Sequence, residues 1–360
     1  MTLEDLGYNN AFEENRKKLE LCEFSVARII SEFKGEYKVI NANGEHRARV
    51  TGKQMFTASS REDYPAVGDW VAISELDNGQ AIIRGILPRQ SILKRTFGDK
   101  NRSGEKDEIQ VIAANIDEAF VIESIDRDYN LNRFERYFAI SESNGVQPAI
   151  ILNKIDLISK GELNDKLIQL KKRFPDINII FTSTVNDHGL DDLNKYISKG
   201  KTYCFLGSSG VGKSTLINRL LGEDSIKTGT ISRLSGRGKH TTTSRQMYFL
   251  ENGGIVIDNP GIREVGVARV SEGIGTLFDE ITAIAEQCKY ADCTHTHEPG
   301  CEVIGAVKSN KLDKEKYTNY LNLKKETEYH DMNELDKREK DRKFGKFMKK
   351  AKRDLKDFDL

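Results

Sequence analysis

Between Phe24 and Leu87, apolar and polar residues alternate in short runs: FSVARIIS, YKVINA, HRARVTG, DWVAIS and AIIRGIL. The pieces between them, FKGE, NANGE, YPAVG and LDNGQ, carry the Gly, Pro and Asn that turns need. Period-two runs of this length predict five short strands, and that number suits a small β-barrel of the oligonucleotide-binding (OB) type over residues 22–94. The polar residues 1–21 before it are expected to form a helical extension. The stretch 95–110, RTFGDKNRSGEKDEIQ, is polar and Gly-containing and reads as a linker or mobile loop.

The pattern then changes. EAFVIESI (118–125), PAIILN (148–153), INIIFTS (177–183) and KTYCFLG (201–207) are buried-type strands. Helical stripes separate or follow them at 131–145, 162–174, 189–198 and 213–222. Strands alternating with helices predict a mostly parallel sheet covered on both faces, an α/β domain over residues 111–270. In such a sheet, ligands sit beyond the carboxyl ends of the strands. From about Ser271 the chain becomes helical and polar, so 271–360 reads as a third region. A length of 360 residues agrees with a multidomain chain.

Charge adds little in bulk, since 56 basic residues face 56 acidic ones. The exception is Lys337–Lys356, whose eleven Lys or Arg against three acids leave +8 on a C-terminal arm suited to phosphate. A solvated helix would have the same composition. No apolar stretch reaches the ~20 residues of a membrane span, and MTLEDLGYNN lacks the pattern of an export signal. A cytoplasmic protein without membrane contact is expected, and nothing demands more than a monomer.

Two motifs carry the chemistry, and they come in an unusual order. GSSGVGKS, comprising Gly207, Ser208, Ser209, Gly210, Val211, Gly212, Lys213 and Ser214, follows an apolar strand and opens a helix together with Thr215. Glycines let successive amides curl around phosphate, the helix N-terminus adds its dipole, Lys213 reaches the outer phosphates, and Ser214 offers a hydroxyl to Mg²⁺. NKID, comprising Asn153, Lys154, Ile155 and Asp156, follows another buried strand. Asp156 can accept from the ring N–H and exocyclic amine of guanine, a donor pair adenine lacks. Asn153 would brace the loop and the stem of Lys154 would cover the base. Taken alone, an Asx turn explains NKID nearly as well.

Three further stretches complete a GTP site. GGIVIDNPG ends a strand with Asp258 toward Mg²⁺ and Gly261 toward the γ-phosphate. GRGKHTTTS (236–244) supplies a Thr-dense switch, whose Mg²⁺ ligand is one of residues 241–243. Ser183 and Thr184 end a strand where their amides could meet the guanine carbonyl. In most GTPases the phosphate loop precedes the base loop, so this order predicts a circular permutation. A site made of loops at one sheet edge tolerates that rearrangement.

Five cysteines are present, and Cys288, Cys293 and Cys301 crowd into CKYADCTHTHEPGC. With His295 or its rival His297, they form a Cys₃His set suited to one structural, tetrahedral Zn²⁺.

The order of base loop, phosphate loop, Thr switch and Asp-x-x-Gly, between an N-terminal barrel and a C-terminal Cys/His cluster, resembles the circularly permuted, ribosome small-subunit-dependent GTPase A family of bacteria. The resemblance spans about residues 22–310. It implies a Mg²⁺-dependent GTP hydrolase acting in late maturation of the small ribosomal subunit, with GTP or GDP, the subunit and its rRNA as partners. It favours Thr242 for Mg²⁺ and His295 for Zn²⁺. Ile262 stands where many GTPases carry a water-orienting Gln, so a polar group must come from elsewhere. His240 is the catalytic candidate, and the family pattern points to the same residue. Loss of the γ-phosphate is expected to move 262–270 and the zinc region attached to it. The rival readings are an RNA-binding scaffold with a vestigial nucleotide site and an ATP-dependent kinase. Intact Lys213, Ser214, Asp258 and Asp156 oppose the scaffold, and Asn153 with Asp156 opposes the kinase.

Overall fold

The computed structural model describes residues 1–33, 35–52, 58, 60–97, 108–126, 129–222, 245–258, 271–332, 336 and 342. His240, Thr242, Gly261, the 262–270 connection and nearly all of the basic arm lie outside these residues, and so do the expectations placed on them. The chain divides into two units, Met1–Gly266 and Val267–Leu360.

In the first unit, helix α1 (Asn10–Lys18) starts at Asn9, whose side chain accepts from the amides of Ala11 and Phe12. Strands β1 (Ser25–Phe33), β2 (Glu36–Asn41), β3 (Gly44–Val50), β4 (Trp70–Leu76) and β5 (Gln80–Ile86) follow. Each of the five runs read from the alternation overlaps one of these strands. They close on themselves: β1 pairs with both β2 and β4, β3 pairs with β2 and, in parallel, with β5, and β5 pairs with β4. This is a five-stranded barrel. Alternate residues fill it, including Ala27, Ile29, Tyr37, Val39, Val71, Ile73, Ala81 and Ile83. Trp70 and Val26 instead meet Leu6 and Phe12 of the N-terminal segment outside the barrel.

The 95–110 segment differs from its reading as a linker. Its two ends belong to a hairpin, β6 (Ile92–Phe97) with β7 (Glu108–Ala114), in antiparallel register. The charged run LKRTF hides this strand, since a hairpin with a bulge between Leu93 and Lys94 needs no strict alternation.

The α/β part contains β8 (Glu118–Ser124), α2 (Leu131–Glu142), β9 (Gln147–Asn153), α3 (Lys160–Arg173), β10 (Ile179–Thr182) and α4 (Leu190–Tyr196). It continues with β11 (Thr202–Leu206), α5 (Lys213–Leu221), β12 (Gln246–Phe249) and β13 (Ile255–Asp258). The strand order is β10-β9-β8-β11-β13-β12, parallel except for β12. Thr182, Asn153, Ser124, Leu206 and Asp258 therefore end their strands at one edge. At the far side, Ser31 of β1 pairs with Gln246 of β12, joining barrel and sheet into one eleven-stranded array.

Among the described residues, Arg28 and Asp69 are charged groups buried at the barrel. Arg28 is 1% exposed and donates to the carbonyls of Gly68, Leu6 and Asn115 and to the Thr202 hydroxyl. Burial pulls its guanidinium down to about 10, and its four acceptors explain why the charge is tolerated.

The second unit consists of α6 (Ser271–Leu277), α7 (Asp279–Ala285), α8 (Glu302–Lys308) and α9 (Lys314–Asp331). Phe278 and Tyr320 meet edge to face at 5.4 Å within it, and Ile281, Val303 and Leu323 are buried. No described helix is long and apolar enough to cross a membrane.

Candidate functional site

Strand β11 is buried throughout and delivers the chain into the phosphate loop at Gly207. Here φ is +147°, and a Cβ would fall 2.2 Å from the carbonyl oxygen of Ile122, so only glycine fits. Gly212, at φ +99°, caps α5, and a Cβ there would lie 2.4 Å from the side-chain amide of Asn153. The second clash is informative, because it shows the base-reading loop pressed against the phosphate loop. Asn153 is fully buried, donates to the Val211 carbonyl at 2.8 Å and accepts from the Thr182 hydroxyl at 3.0 Å. One side chain thus links the ends of β9, β10 and β11. Strands β9 and β11 are two positions apart in the sheet, about 10 Å at normal spacing. That is the reach of a guanine nucleotide from base to phosphates.

Lys154 adopts a left-handed conformation, φ 61°, which turns the chain so that Ile155–Leu157 form a single 3₁₀ turn. Its ammonium pairs with Asp126 at 3.0 Å, directing the aliphatic stem along the loop. Ile155 is buried, and Asp156 accepts from the Ser183 hydroxyl at 2.5 Å. The amide of Ser183 donates to the His188 carbonyl at 2.9 Å. Ser183 is thus engaged at both groups, its hydroxyl by Asp156 and its amide by the His188 carbonyl. Of the pair, Thr184 remains the candidate for the guanine carbonyl. Its own carbonyl is held by Arg219 of α5 at 3.2 Å.

At the phosphate end, the Lys213 ammonium lies 2.6 Å from the Gly207 carbonyl and 2.7 Å from that of Ser208. It is poised over the loop it serves. Ser214 Oγ is 3.5 Å from Asp258 Oδ2, and Asp258 is 2% exposed at the end of β13. A hydroxyl and a carboxylate side by side are the hard oxygen donors that Mg²⁺ takes, so the residues fit that ion. Ser209, Gly210 and Thr215 are partly exposed along the same rim, while Val211 is fully buried.

Sequence reasoning missed three residues of this edge: Asp126 beneath Lys154, and Glu123 with Arg133, which reaches Ser208. They belong to no motif. Only the position of β8 between β9 and β11 brings them here.

In the second unit, the ligand atoms of Cys288, Cys293, His295 and Cys301 all lie within 4.8 Å of one another. Cys288 and Cys301 Sγ are 3.9 Å apart, and His295 Nδ1 is 3.6 and 3.5 Å from them. Tetrahedral Zn²⁺ with ~2.3 Å bonds to sulfur requires edges of about 3.8 Å, so this donor set fits. Burial pushes the Cys288 thiol up, but the backbone amides of Val303 and Glu302 at the start of α8 outweigh it and hold the thiol below its ordinary value. Burial also lowers His295, which favours the neutral imidazole a metal needs. The ring nitrogen of His297 meets the Thr296 hydroxyl instead, at 2.7 Å, and stays outside the cluster. Tyr317 Oη donates to the His295 carbonyl at 2.6 Å and fixes that ligand's backbone.

The first unit is therefore a barrel joined to a P-loop GTPase domain of permuted order, with base loop and phosphate loop at one sheet edge. A family model described as RsgA GTPase matches residues 86–268. The small ribosomal subunit biogenesis GTPase RsgA 2 of Lactiplantibacillus plantarum is 42% identical over 322 residues, covering 89% of each chain. The small ribosomal subunit biogenesis GTPase RsgA 1 of Bacteroides thetaiotaomicron is 34% identical over 348 residues and 96% of each. The chain belongs to the RsgA GTPase family and is a GTPase. Two solved structures share the fold. YjeQ from Thermotoga maritima has a TM-score of 0.60 at 23% identity, over 83% of this chain and 96% of that one. YloQ, a circularly permuted GTPase, has a TM-score of 0.58 at 22% identity, over 86% and 97%. A second family model, described as ABC transporter, matches 190–353, a span that includes the same phosphate loop.

Proposed function

We propose that this GTPase acts in biogenesis of the small ribosomal subunit, hydrolysing GTP when subunit RNA engages it. Its relatives' names carry the subunit assignment. The preference for guanine rests on one observation above the rest: Asn153 ties the base loop to the phosphate loop, so that Asp156 and Lys213 address one nucleotide. In this reading Asp156 accepts from the guanine edge, and the stem of Lys154 covers the ring. The amides of 207–213 cradle the phosphates, and Lys213 neutralises their outer oxygens.

Ser214 and Thr242, with Asp258, would hold Mg²⁺, which would neutralise charge on the phosphate oxygens. Gly261 meets the γ-phosphate. His240 orients the water that attacks phosphorus as the bond to the GDP oxygen breaks. Zn²⁺ on Cys288, Cys293, His295 and Cys301 is structural, since four protein ligands leave no open position. The protein works as a cytoplasmic monomer, with the barrel and basic arm contacting rRNA.

GTP turnover with and without purified small subunits tests this reading. Stimulation is expected, and identical rates would refute it. His240→Ala should lose at least about 100-fold of the stimulated rate while retaining nucleotide affinity. Full stimulated activity in that variant would remove His240 from the mechanism.

A further inference from the structure

Strand β8 carries an anomaly. Ala119, Phe120, Val121 and Ile122 are fully buried, as an interior strand should be, and the next residue, Glu123, is a fully buried carboxylate. An isolated buried charge is costly, so a partner must compensate it. The partner is Arg133, in the first turn of α2, whose Nη1 lies 3.0 and 3.3 Å from the two carboxylate oxygens. The same nitrogen lies 3.0 Å from Ser208 Oγ. A guanidinium Nη carries two protons, so one can be shared across the carboxylate while the other is donated to the serine.

Ser208 is thereby held at both ends. Its hydroxyl accepts from Arg133, and its carbonyl accepts from Lys213 at 2.7 Å. The anchor comes from the strand that separates the base-loop strand from the phosphate-loop strand. We propose that Glu123 and Arg133 form a positioning pair that holds the phosphate loop of this GTPase in its nucleotide-binding shape through the Ser208 hydroxyl.

The arrangement argues for positioning over catalysis. Arg133 has its charge met by a buried carboxylate, so the pair offers the phosphates little net attraction. Glu123 holds Arg133 Nη1 in place, and that nitrogen donates to the Ser208 hydroxyl. Because the loop cradles the phosphates that GDP and GTP share, the pair should serve both nucleotides equally.

The proposal rests on the guanine-nucleotide reading and is tested on the full-length protein with fluorescent GDP and a non-hydrolysable GTP analogue. Ser208→Ala removes the link and leaves the ion pair intact. It should raise the dissociation constants for both nucleotides by the same factor, about fivefold, as expected for one hydrogen bond. Arg133→Ala should raise them at least as much. The double variant should be no worse than Arg133→Ala alone, since both changes break one link. Unchanged affinities in Ser208→Ala would overturn the proposal, even where Arg133→Ala does not fold. Additive losses in the double variant would do the same. A loss much larger for the GTP analogue than for GDP would also overturn it, by making Arg133 a γ-phosphate contact. Wild-type protein that binds neither nucleotide would instead refute the guanine reading beneath it.

Discussion

Asn153 and Val211 meet across 58 positions of sequence, and the whole nucleotide edge is assembled from such distant pieces. The Cys₃His residues of the second unit run from Cys288 to Cys301, only 13 positions apart. The first site is held by a sheet whose hydrogen bonds and apolar core exist independently of any ligand. In the second, three thiols and an imidazole from one short segment come together, with Cys293, His295 and Cys301 buried. Long-range sheet pairing fixes the geometry of one site, and closeness along the chain brings together the donors of the other. That contrast explains why the loops of a GTPase domain tolerate permutation, whereas a Cys₃His set depends on its local spacing.

The largest expected effect separates the two sites. Structural zinc contributes about 10–16 kcal/mol in small metal-dependent folds. Chelation, or Cys301→Ser, should therefore collapse hydrogen-exchange protection across α8 while β8 and β11 stay protected. Persistent protection of 302–308 without metal would mean that apolar packing holds the second unit as it holds the first.

Next in size is Asp156→Asn. The amide keeps one acceptor and gains a donor, so it mismatches guanine and suits xanthine, whose 2-oxo group accepts. GTP affinity should fall by about 10⁴-fold, and xanthosine triphosphate should bind better than GTP in a competition measurement. A loss below tenfold would place base recognition elsewhere.

The smallest effect probes the brace. Asn153→Ala deletes hydrogen bonds to Val211 and Thr182 inside the first unit, and should cost about 3 kcal/mol in urea unfolding. A cost under ~1 kcal/mol would show that strand pairing alone aligns the two loops.

How far the sequence could be read depended on the range of the interaction. The barrel strands were legible because Ala27 and Ile29, or Ile73 and Val71, face one interior at period two. The phosphate loop was legible because Gly207 and Gly212 answer to local backbone geometry. The β6–β7 hairpin and the antiparallel β12 were not, because Lys94 and Arg95 break the alternation of β6, β12 is only four residues long, and the partners of both are set by topology. Ser183 was found, but the engagement of its amide with the His188 carbonyl is a local turn that spacing does not reveal.

The residues alone determined which chemistry this protein can perform. Backbone conformation, donor type and ligand spacing are properties of a few adjacent side chains, and they specify a guanine site, a phosphate cradle and a Cys₃His cluster. Only the tertiary structure decided which strands become neighbours. It closed the barrel through the parallel β3–β5 pair, seated Arg28 among four acceptors, and set Glu123 and Arg133 beneath Ser208. Those contacts join residues with no periodic relation along the chain, so no local pattern encodes them. They follow from how the whole sheet buries its apolar surface.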